Sequence, residues 1–177
     1  ADSKGLIEKT DDIAKKLLDR IRQARATKIH PLIMNATTVS GEKRLLMAIN
    51  EVSIFRKTGQ AAHIKVEIDG KIVIENLVAD GILVATPAGS TAYNFSAGGA
   101  IIPVESKLLA LTAINPFRPR RWKTALLTSN VNIKLEMLET EKRPANAVAD
   151  YLEVKNIRTL LIKQDRTIDI TLLFDKG

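Results

Sequence analysis

Asp80-Gly81-Ile82-Leu83-Val84-Ala85-Thr86-Pro87-Ala88-Gly89-Ser90-Thr91-Ala92-Tyr93-Asn94-Phe95-Ser96-Ala97-Gly98-Gly99 is the stretch from which the rest of this 177-residue chain is best read. Residues 82–85 are an unbroken apolar run, the pattern of a short strand buried on both faces. Pro87 lacks a backbone N–H and Gly89 is permissive, so the strand stops there. Ser90 or Thr91 can cap a short helix, and Gly98 can end it in the left-handed conformation. Strand, glycine turn and capped helix together present backbone N–H groups where a phosphate can sit. An ordinary strand-to-helix turn fits the same residues, and no P-loop lysine follows.

On both sides of this stretch the hydrophobic period is two. Residues 48–55 read as a strand carrying Asn50-Glu51 inside it. Residues 63–68 and 71–78 flank Asp69-Gly70, a strong two-residue hairpin signal. Val131, Ile133, Leu135 and Met137 alternate with polar residues. Residues 157–162 and 168–174 flank Lys163-Gln164-Asp165-Arg166, which predicts a second hairpin. Seven or more short strands with tight turns predict a mainly β fold of two packed sheets, sandwich-like. Upstream, residues 10–26 predict one amphipathic helix, with Thr10 as N-cap and Asp11 and Asp12 at its positive end. Ile13, Leu17, Leu18 and Ile21 share one face of it, as expected of a linker helix between domains.

Composition narrows the function classes. The chain is 45% hydrophobic and 27% charged, ordinary globular values, while aromatics at 4% leave the core aliphatic. Absence of cysteine excludes disulfides, thiolate metal sites and a cysteine nucleophile. No apolar run approaches the roughly 18 residues that span a bilayer, and the first residues lack the layout of a secretory signal. A cytoplasmic protein is the expectation. The net charge of +7 suits a polyanion, a pyrophosphate-bearing ligand or a solvated surface. The basic residues are scattered, apart from Arg118-Pro119-Arg120-Arg121.

Three elements in this order, Asn50-Glu51, Asp80-Gly81 before an apolar strand, and Thr86 to Tyr93 closed by Ser96 and Gly98-Gly99, resemble the C-terminal domain of ATP- or polyphosphate-dependent NAD kinases. The long serine-threonine motif also occurs, loosened, in related lipid kinases, and Asn50-Glu51 favours the NAD kinase branch. Ala149-Asp150 resembles a second aspartate position of that family. The resemblance runs from about His30 to the C-terminus. It implies that residues 1–29 are a linker helix from the tail of an N-terminal α/β domain and that residues 30–177 bind the dinucleotide. It further implies phosphoryl transfer from ATP or polyphosphate to the 2′-hydroxyl of the adenosine ribose of NAD, giving NADP, with Mg²⁺ in the full enzyme. A homo-oligomer, dimer or tetramer, with sites at subunit interfaces is also implied. The family's Gly-Gly-Asp-Gly loop, whose aspartate activates the hydroxyl, has no counterpart here: Asp-Gly occurs only at 69–70 and 80–81. The chain is therefore expected to supply NAD binding as part of a longer enzyme and to be inactive alone. A non-catalytic dinucleotide-binding module and a basic nucleic-acid-binding domain are the alternatives.

Each site residue has a functional and a plain reading. The Asn50 amide can pair bidentately with an adenine edge, and Glu51 can accept hydrogen bonds from ribose hydroxyls. On a strand the two point to opposite faces, so both reach one ligand only if the strand bends or ends there. A polar pair at a strand edge is the plain reading. Asp80 starts a buried strand and needs partners. The resemblance implies that Asp80 contacts the nicotinamide side, against a simple turn aspartate. Ser90, Thr91, Ala92, Tyr93 and Ser96 are implied NAD contacts through hydroxyls and backbone, with Tyr93 equally able to be a core tyrosine. Asp150 either orders a neighbouring loop or touches ligand, and Tyr151 is an optional contact. His30 and His63 lack metal or triad neighbours, and Glu105 and Asp165 lack a partner at catalytic spacing. Arg118, Arg120, Arg121 and Trp122 read as a structural loop before a nucleic-acid patch, because aromatic interleaving is absent.

Overall fold

The computed structural model describes residues 3–175, with side chains from Asp12 onward. The chain divides into two compact units. In the first, helix α1 (Ser3–Gln23) is followed by β1 (Arg25–Ile29), which pairs antiparallel with the last strand, β14 (Ile170–Phe174). The Arg20 guanidinium pairs with the Asp175 carboxylate. The helix starts earlier than its sequence pattern, so Thr10 lies inside it and is not its cap. It also stops three residues sooner than 26, because from Arg25 the backbone is committed to the β14 ladder.

The second unit, residues 30–169, is mainly β, as the period-two patterns predicted. Its strands are β2 (Leu32–Thr38), β3 (Lys43–Ala48), β4 (Glu51–Arg56), β5 (Ala62–Ile68), β6 (Lys71–Ala79), β7 (Gly81–Ala85), β8 (Leu108–Ile114), β9 (Thr124–Thr128), β10 (Ile133–Leu138), β11 (Ala145–Ala149), β12 (Leu152–Val154) and β13 (Ile157–Gln164). They form two six-stranded antiparallel sheets, ordered β3-β2-β13-β10-β5-β6 and β12-β11-β4-β7-β8-β9. Alternate residues of both sheets make one aliphatic core: Leu32, Met34, Ile64, Val66, Ile133 and Leu135 from the first, Val52, Ile54, Ile82, Val84, Leu109 and Leu111 from the second. In β13 the inward parity changes from Ile157 to Leu160 and Ile162 at an irregularity near Thr159, which keeps all three in the core.

β7 is buried along its whole length, as its unbroken apolar run predicted. Its second face is covered by the chain that follows: Leu83 and Ala85 pack with Ile102, Ala110 and Ile114 in a smaller core. That covering segment is a 3₁₀ turn (Ala88–Thr91) and one turn of helix, α2 (Tyr93–Ser96).

Two sequence expectations fail in this unit. The hairpin expected around residues 163–166 does not form, because both edges of β13 are already taken by β10 and β2. The chain instead turns at Asp165, whose carboxylate accepts from the Thr167 N–H (2.9 Å) and hydroxyl (2.6 Å). The strand expected over 48–55 is broken at Ile49-Asn50, where the chain leaves the first sheet and enters the second. The Asp69-Gly70 hairpin is present, with both residues at positive φ.

Candidate functional site

The break at Asn50 is made by Asp150. This residue sits in the β11–β12 turn at φ 53°, and its carboxylate accepts three successive backbone N–H groups: Ile49 (2.7 Å), Asn50 (2.9 Å) and Glu51 (3.2 Å). A strand points successive N–H groups to opposite sides, so three converging on one carboxylate exclude strand geometry there. The Asp150 N–H donates in turn to the Glu51 carbonyl (3.1 Å). Of the two roles open to Asp150 from sequence, the loop-ordering one is the role its bonds display.

The other side of the Asn50 corner is held by the segment after β7. The Thr86 N–H donates to the Asn50 carbonyl (2.9 Å), and the Thr86 hydroxyl donates to the Ile49 carbonyl (2.7 Å). The same hydroxyl oxygen accepts the Gly89 N–H (3.1 Å). The cap expected of Ser90 or Thr91 does not form: Pro87 and Ala92 stand at the N-cap positions, neither helical piece has a side-chain cap bond, and the Thr86 bond lies within the preceding turn. Gly89 lies so close that a Cβ there would stand 2.2 Å from the Asn50 carbonyl oxygen. The helical pieces are four residues each, too short to build the dipole by which a helix start holds a phosphate.

Asn50 is exposed and Glu51 half-buried at this corner. Burial first, and then the negative charge of Asp150, raises the Glu51 carboxyl above the ordinary glutamate value. Its Oε2 is buried with no hydrogen-bond partner among the described residues. A buried acceptor without a donor is costly in isolation and is the feature expected where a ligand brings the donor.

Asp80 occupies the second corner, where the chain passes from β6 in the first sheet to β7 in the second. Asn115 Nδ2 donates to its Oδ2 (3.0 Å), and Arg56 Nε donates to its Oδ1 (2.6 Å). These contacts hold its carboxyl below the ordinary aspartate value, the Asn115 bond contributing most and the Arg56 bond and charge adding to it against desolvation. Tyr93 stands close: its phenol is pushed up by burial and then by the Asp80 charge, and its ring packs on Phe55 with centroids 5.6 Å apart.

The two corners mark the ends of β4. Glu51 faces Ala85 and Phe55 faces Gly81 across the ladder, a separation of four residues, or about 14 Å. Residues 86–99 run back over the outer face of the sheet from the first corner to the second. Asn50, Glu51 and Asp150 therefore gather at one end, and Asp80 and Tyr93 at the other. Thr91 and Ser96 are exposed on the covering segment, and Ala92 is half-buried. Ser90 is fully buried, its hydroxyl donating to the Pro87 carbonyl (2.7 Å) and accepting the Ile102 N–H (3.0 Å). Its hydroxyl is spent on the loop.

Four residues of this arrangement have no sequence signal of their own strength. Thr86 and Gly89 clamp the Asn50 corner, and Arg56 clamps Asp80. Asn94, buried, donates to the carbonyls of Ser90 (3.1 Å) and Ala100 (2.9 Å) and accepts from the Thr112 hydroxyl (2.7 Å). A Cβ on Gly99 would stand 2.1 Å from the Asn94 amide oxygen, which accounts for a glycine there. No grouping of three His, Asp or Glu side chains suited to a metal ion occurs among the described residues.

A family model described as the ATP-NAD kinase C-terminal domain matches residues 49–159. The chain is 51% identical over 165 residues to the NAD kinase of Brucella suis biovar 1, covering 93% of this chain and 64% of that protein. It is 53% identical over 163 residues to the NAD kinase of Rickettsia bellii, covering 92% of this chain and 64% of that one. The chain thus spans somewhat less than two thirds of the length of these curated relatives. Among solved structures, yeast NADH kinase complexed with NADH superimposes with a TM-score of 0.82 at 20% identity, over 92% of this chain and 49% of that one. An NAD kinase from Archaeoglobus fulgidus in complex with ATP superimposes with a TM-score of 0.71 at 21% identity, over 86% of this chain and 56% of that one.

Proposed function

Because this chain belongs to the ATP-NAD kinase family, we infer that it is the part of an NAD kinase that grips the dinucleotide acceptor. The observation that carries this reading is the buried, partnerless Oε2 of Glu51 beside the exposed Asn50 amide. A ribose presents two hydroxyl donors, and an adenine edge presents a donor and an acceptor, the complements of these two groups. Asp150 and Thr86 fix the backbone of both, so little ordering remains when the ligand arrives. Asp80, kept ionised by Asn115 and Arg56, is an acceptor for the carboxamide at the nicotinamide end, with the Tyr93 ring beside it. Thr91 and Ser96, exposed on the covering segment, and Ala92, half-buried there, are assigned to the dinucleotide between the two ends. Ser90 and Asp150 act through the loops they order.

The reaction is transfer of a phosphoryl group from ATP or polyphosphate to the adenosine 2′-hydroxyl, giving NADP. Such transfer rests on positioning and on neutralising charge, the latter supplied by Mg²⁺ accompanying the donor phosphates. The residues of this chain named above are assigned the positioning. No residue of the chain matches the family's activating aspartate, so the base for the 2′-hydroxyl is assigned to none of them. The enzyme is further expected to be a cytoplasmic homo-oligomer.

Calorimetric titration of the purified protein with NAD, and of Asn50→Ala, tests the acceptor site. An unpaired polar edge costs roughly 1–3 kcal/mol, so Asn50→Ala should bind about 5- to 150-fold more weakly. Unchanged NAD binding by a folded Asn50→Ala protein would remove the adenine from this corner.

A further inference from the structure

The two sheets each leave a strand open on the same side of the sandwich. β3 is the outermost strand of one sheet and β12 of the other. Between them runs a groove of about 820 Å³, walled by Leu46 from β3, Leu152 and Val154 from β12, and Val39 from the turn before β3. Neither Asn50 nor Glu51 lines it.

The edge of β3 is open in a definite pattern. The Thr38 N–H donates to the Glu42 carbonyl (2.9 Å), and the register pairs Ala36 with Arg44 and Met34 with Leu46. Arg44 and Leu46 therefore turn their backbone groups to β2, and Lys43, Leu45 and Met47 turn theirs outward. Outward N–H and C=O groups on every second residue match one further strand. Many sheet edges are closed to such a strand by proline, a bulge or a covering loop. β3 has no proline and an unbroken register with β2, and its Leu45 and Met47 side chains are 66% and 45% exposed.

Charge divides the groove along its length. The stretches 38–46 and 152–158 hold four cations, Lys43, Arg44, Lys155 and Arg158, against two carboxylates, Glu42 and Glu153. Glu42 is paired with Arg44 (2.7 Å), and Glu153 accepts from the Asn146 amide (2.8 Å). Lys43, Lys155 and Arg158 have no carboxylate partner among the described residues. These charges gather where the β2–β3 turn meets the β12–β13 turn. There the Val39 N–H donates to the Asn156 carbonyl (2.8 Å) and the Arg158 guanidinium to the Val39 carbonyl (3.3 Å). The other end of the two open strands is apolar, with Met47, Ile49, Tyr151 and Leu152 exposed.

We propose that this groove binds an extended peptide, apolar at one end and acidic at the other, which adds a strand to the edge of β3. Its backbone pairs with Lys43, Leu45 and Met47, alternate side chains enter the groove against Leu46 and Val154, and its carboxylates meet Lys43, Lys155 and Arg158. Antiparallel pairing, the stronger kind, puts the acidic end at the C-terminus of the peptide. A second copy of β3 is a poorer occupant: pairing residues 43–47 antiparallel with themselves sets Lys43 against Met47 and brings it no carboxylate. Nucleic acid brings negative charge but no amide ladder for a strand edge.

The test is fluorescence anisotropy of a fluorescein-labelled probe, the peptide Thr-Val-Thr-Val-Thr-Glu-Glu-Glu, titrated with the wild type, with Leu45→Pro and with Lys43→Glu/Lys155→Glu. Proline is tolerated where the N–H of an edge strand faces outward, so Leu45→Pro should keep the fold and remove the central donor. Each variant should bind the probe about tenfold more weakly than the wild type. A probe with lysine in place of each glutamate should lose about tenfold against the wild type as well. Hydrogen exchange at the Lys43, Leu45 and Met47 amides of the wild type should slow when the acidic probe binds, a readout independent of how either variant folds. NAD binding should be unchanged in both variants, so this proposal and the acceptor-site reading fail separately. The proposal is overturned if the wild type does not bind the acidic probe at millimolar concentration, if the two probes bind alike, or if those three amides exchange as before. Self-association of the wild type that Leu45→Pro abolishes would overturn it in favour of a second copy. Tighter binding of a twelve-nucleotide single strand than of the acidic probe, unaffected by Leu45→Pro, would overturn it in favour of a nucleic-acid surface.

Discussion

Glu51→Gln should make this protein more stable and a worse binder at the same time. The wild-type carboxylate is half-buried, beside the like charge of Asp150, with one oxygen lacking a donor. An unsatisfied acceptor costs roughly 1–3 kcal/mol when fully buried, and solvent at the open side of this one reduces that to about 0.5–1 kcal/mol. The isosteric amide still leaves a polar atom there without a partner, but it removes the desolvated charge and its repulsion from Asp150, a relief of about that reduced size, which shifts the melting temperature of a chain this long by about 1–4 °C. The pH dependence has a definite sign. A carboxyl raised in the folded state binds its proton more tightly there than in the unfolded chain. Stability is therefore lost as pH rises from the ordinary glutamate value, 4.5, through the raised folded value, and the deficit is complete above it. The advantage of Glu51→Gln should be full at neutral pH and vanish below that window. Hydrogen bonds to a charged acceptor contribute about 1.5–3 kcal/mol, so NAD affinity should fall about 10- to 150-fold in the variant. Thermal melts from pH 4 to 8 and NAD titrations at pH 7.5 read both effects. A variant less stable than wild type at neutral pH, or one binding NAD equally well, would refute the claim that Oε2 waits for a ligand donor.

Three further outcomes follow from the geometry. Gly89→Ala places a methyl 2.2 Å from the Asn50 carbonyl oxygen, against backbone that Asp150 and Thr86 both hold, so it should cost about 3 kcal/mol or more and abolish NAD binding; a melt within 2 °C of wild type would contradict it. Asn115→Ala and Arg56→Ala should each move the Asp80 carboxyl up toward its ordinary value, with the stability it contributes above that value diminished; an unchanged carboxyl titration by NMR would show that neither side chain controls it. The 177-residue protein should form no NADP from NAD and ATP in an assay coupled to glucose-6-phosphate dehydrogenase, and robust turnover would place the base inside this chain, with Glu51 the first residue to test.

The sequence alone determined the elements that depend on local chemistry. Alternating apolar residues specify strands whose inward side chains build the sandwich, and the continuous run at 82–85 specifies a strand covered on both faces, as β7 is. Asp69-Gly70 adopts positive φ at both positions because those residues tolerate it, so that hairpin was legible. The Thr86 to Tyr93 motif pointed to the right family. Tertiary structure decided what depends on a distant partner. Residues 48–55 carry a strand pattern, yet the Asp150 carboxylate, 100 residues away from Asn50, gathers three N–H groups and bends the chain into a corner. That bend removes the opposite-face geometry of a continuous strand, as the proposed sharing of one ligand by Asn50 and Glu51 requires. Residues 168–174 carry a hairpin pattern, yet β13 has no free edge, and β1 supplies one. Ser90 caps no helix because its hydroxyl is turned inward onto Pro87 and Ile102. In each case a backbone group took the nearest good partner in space, and local sequence cannot name a partner that folding alone brings near.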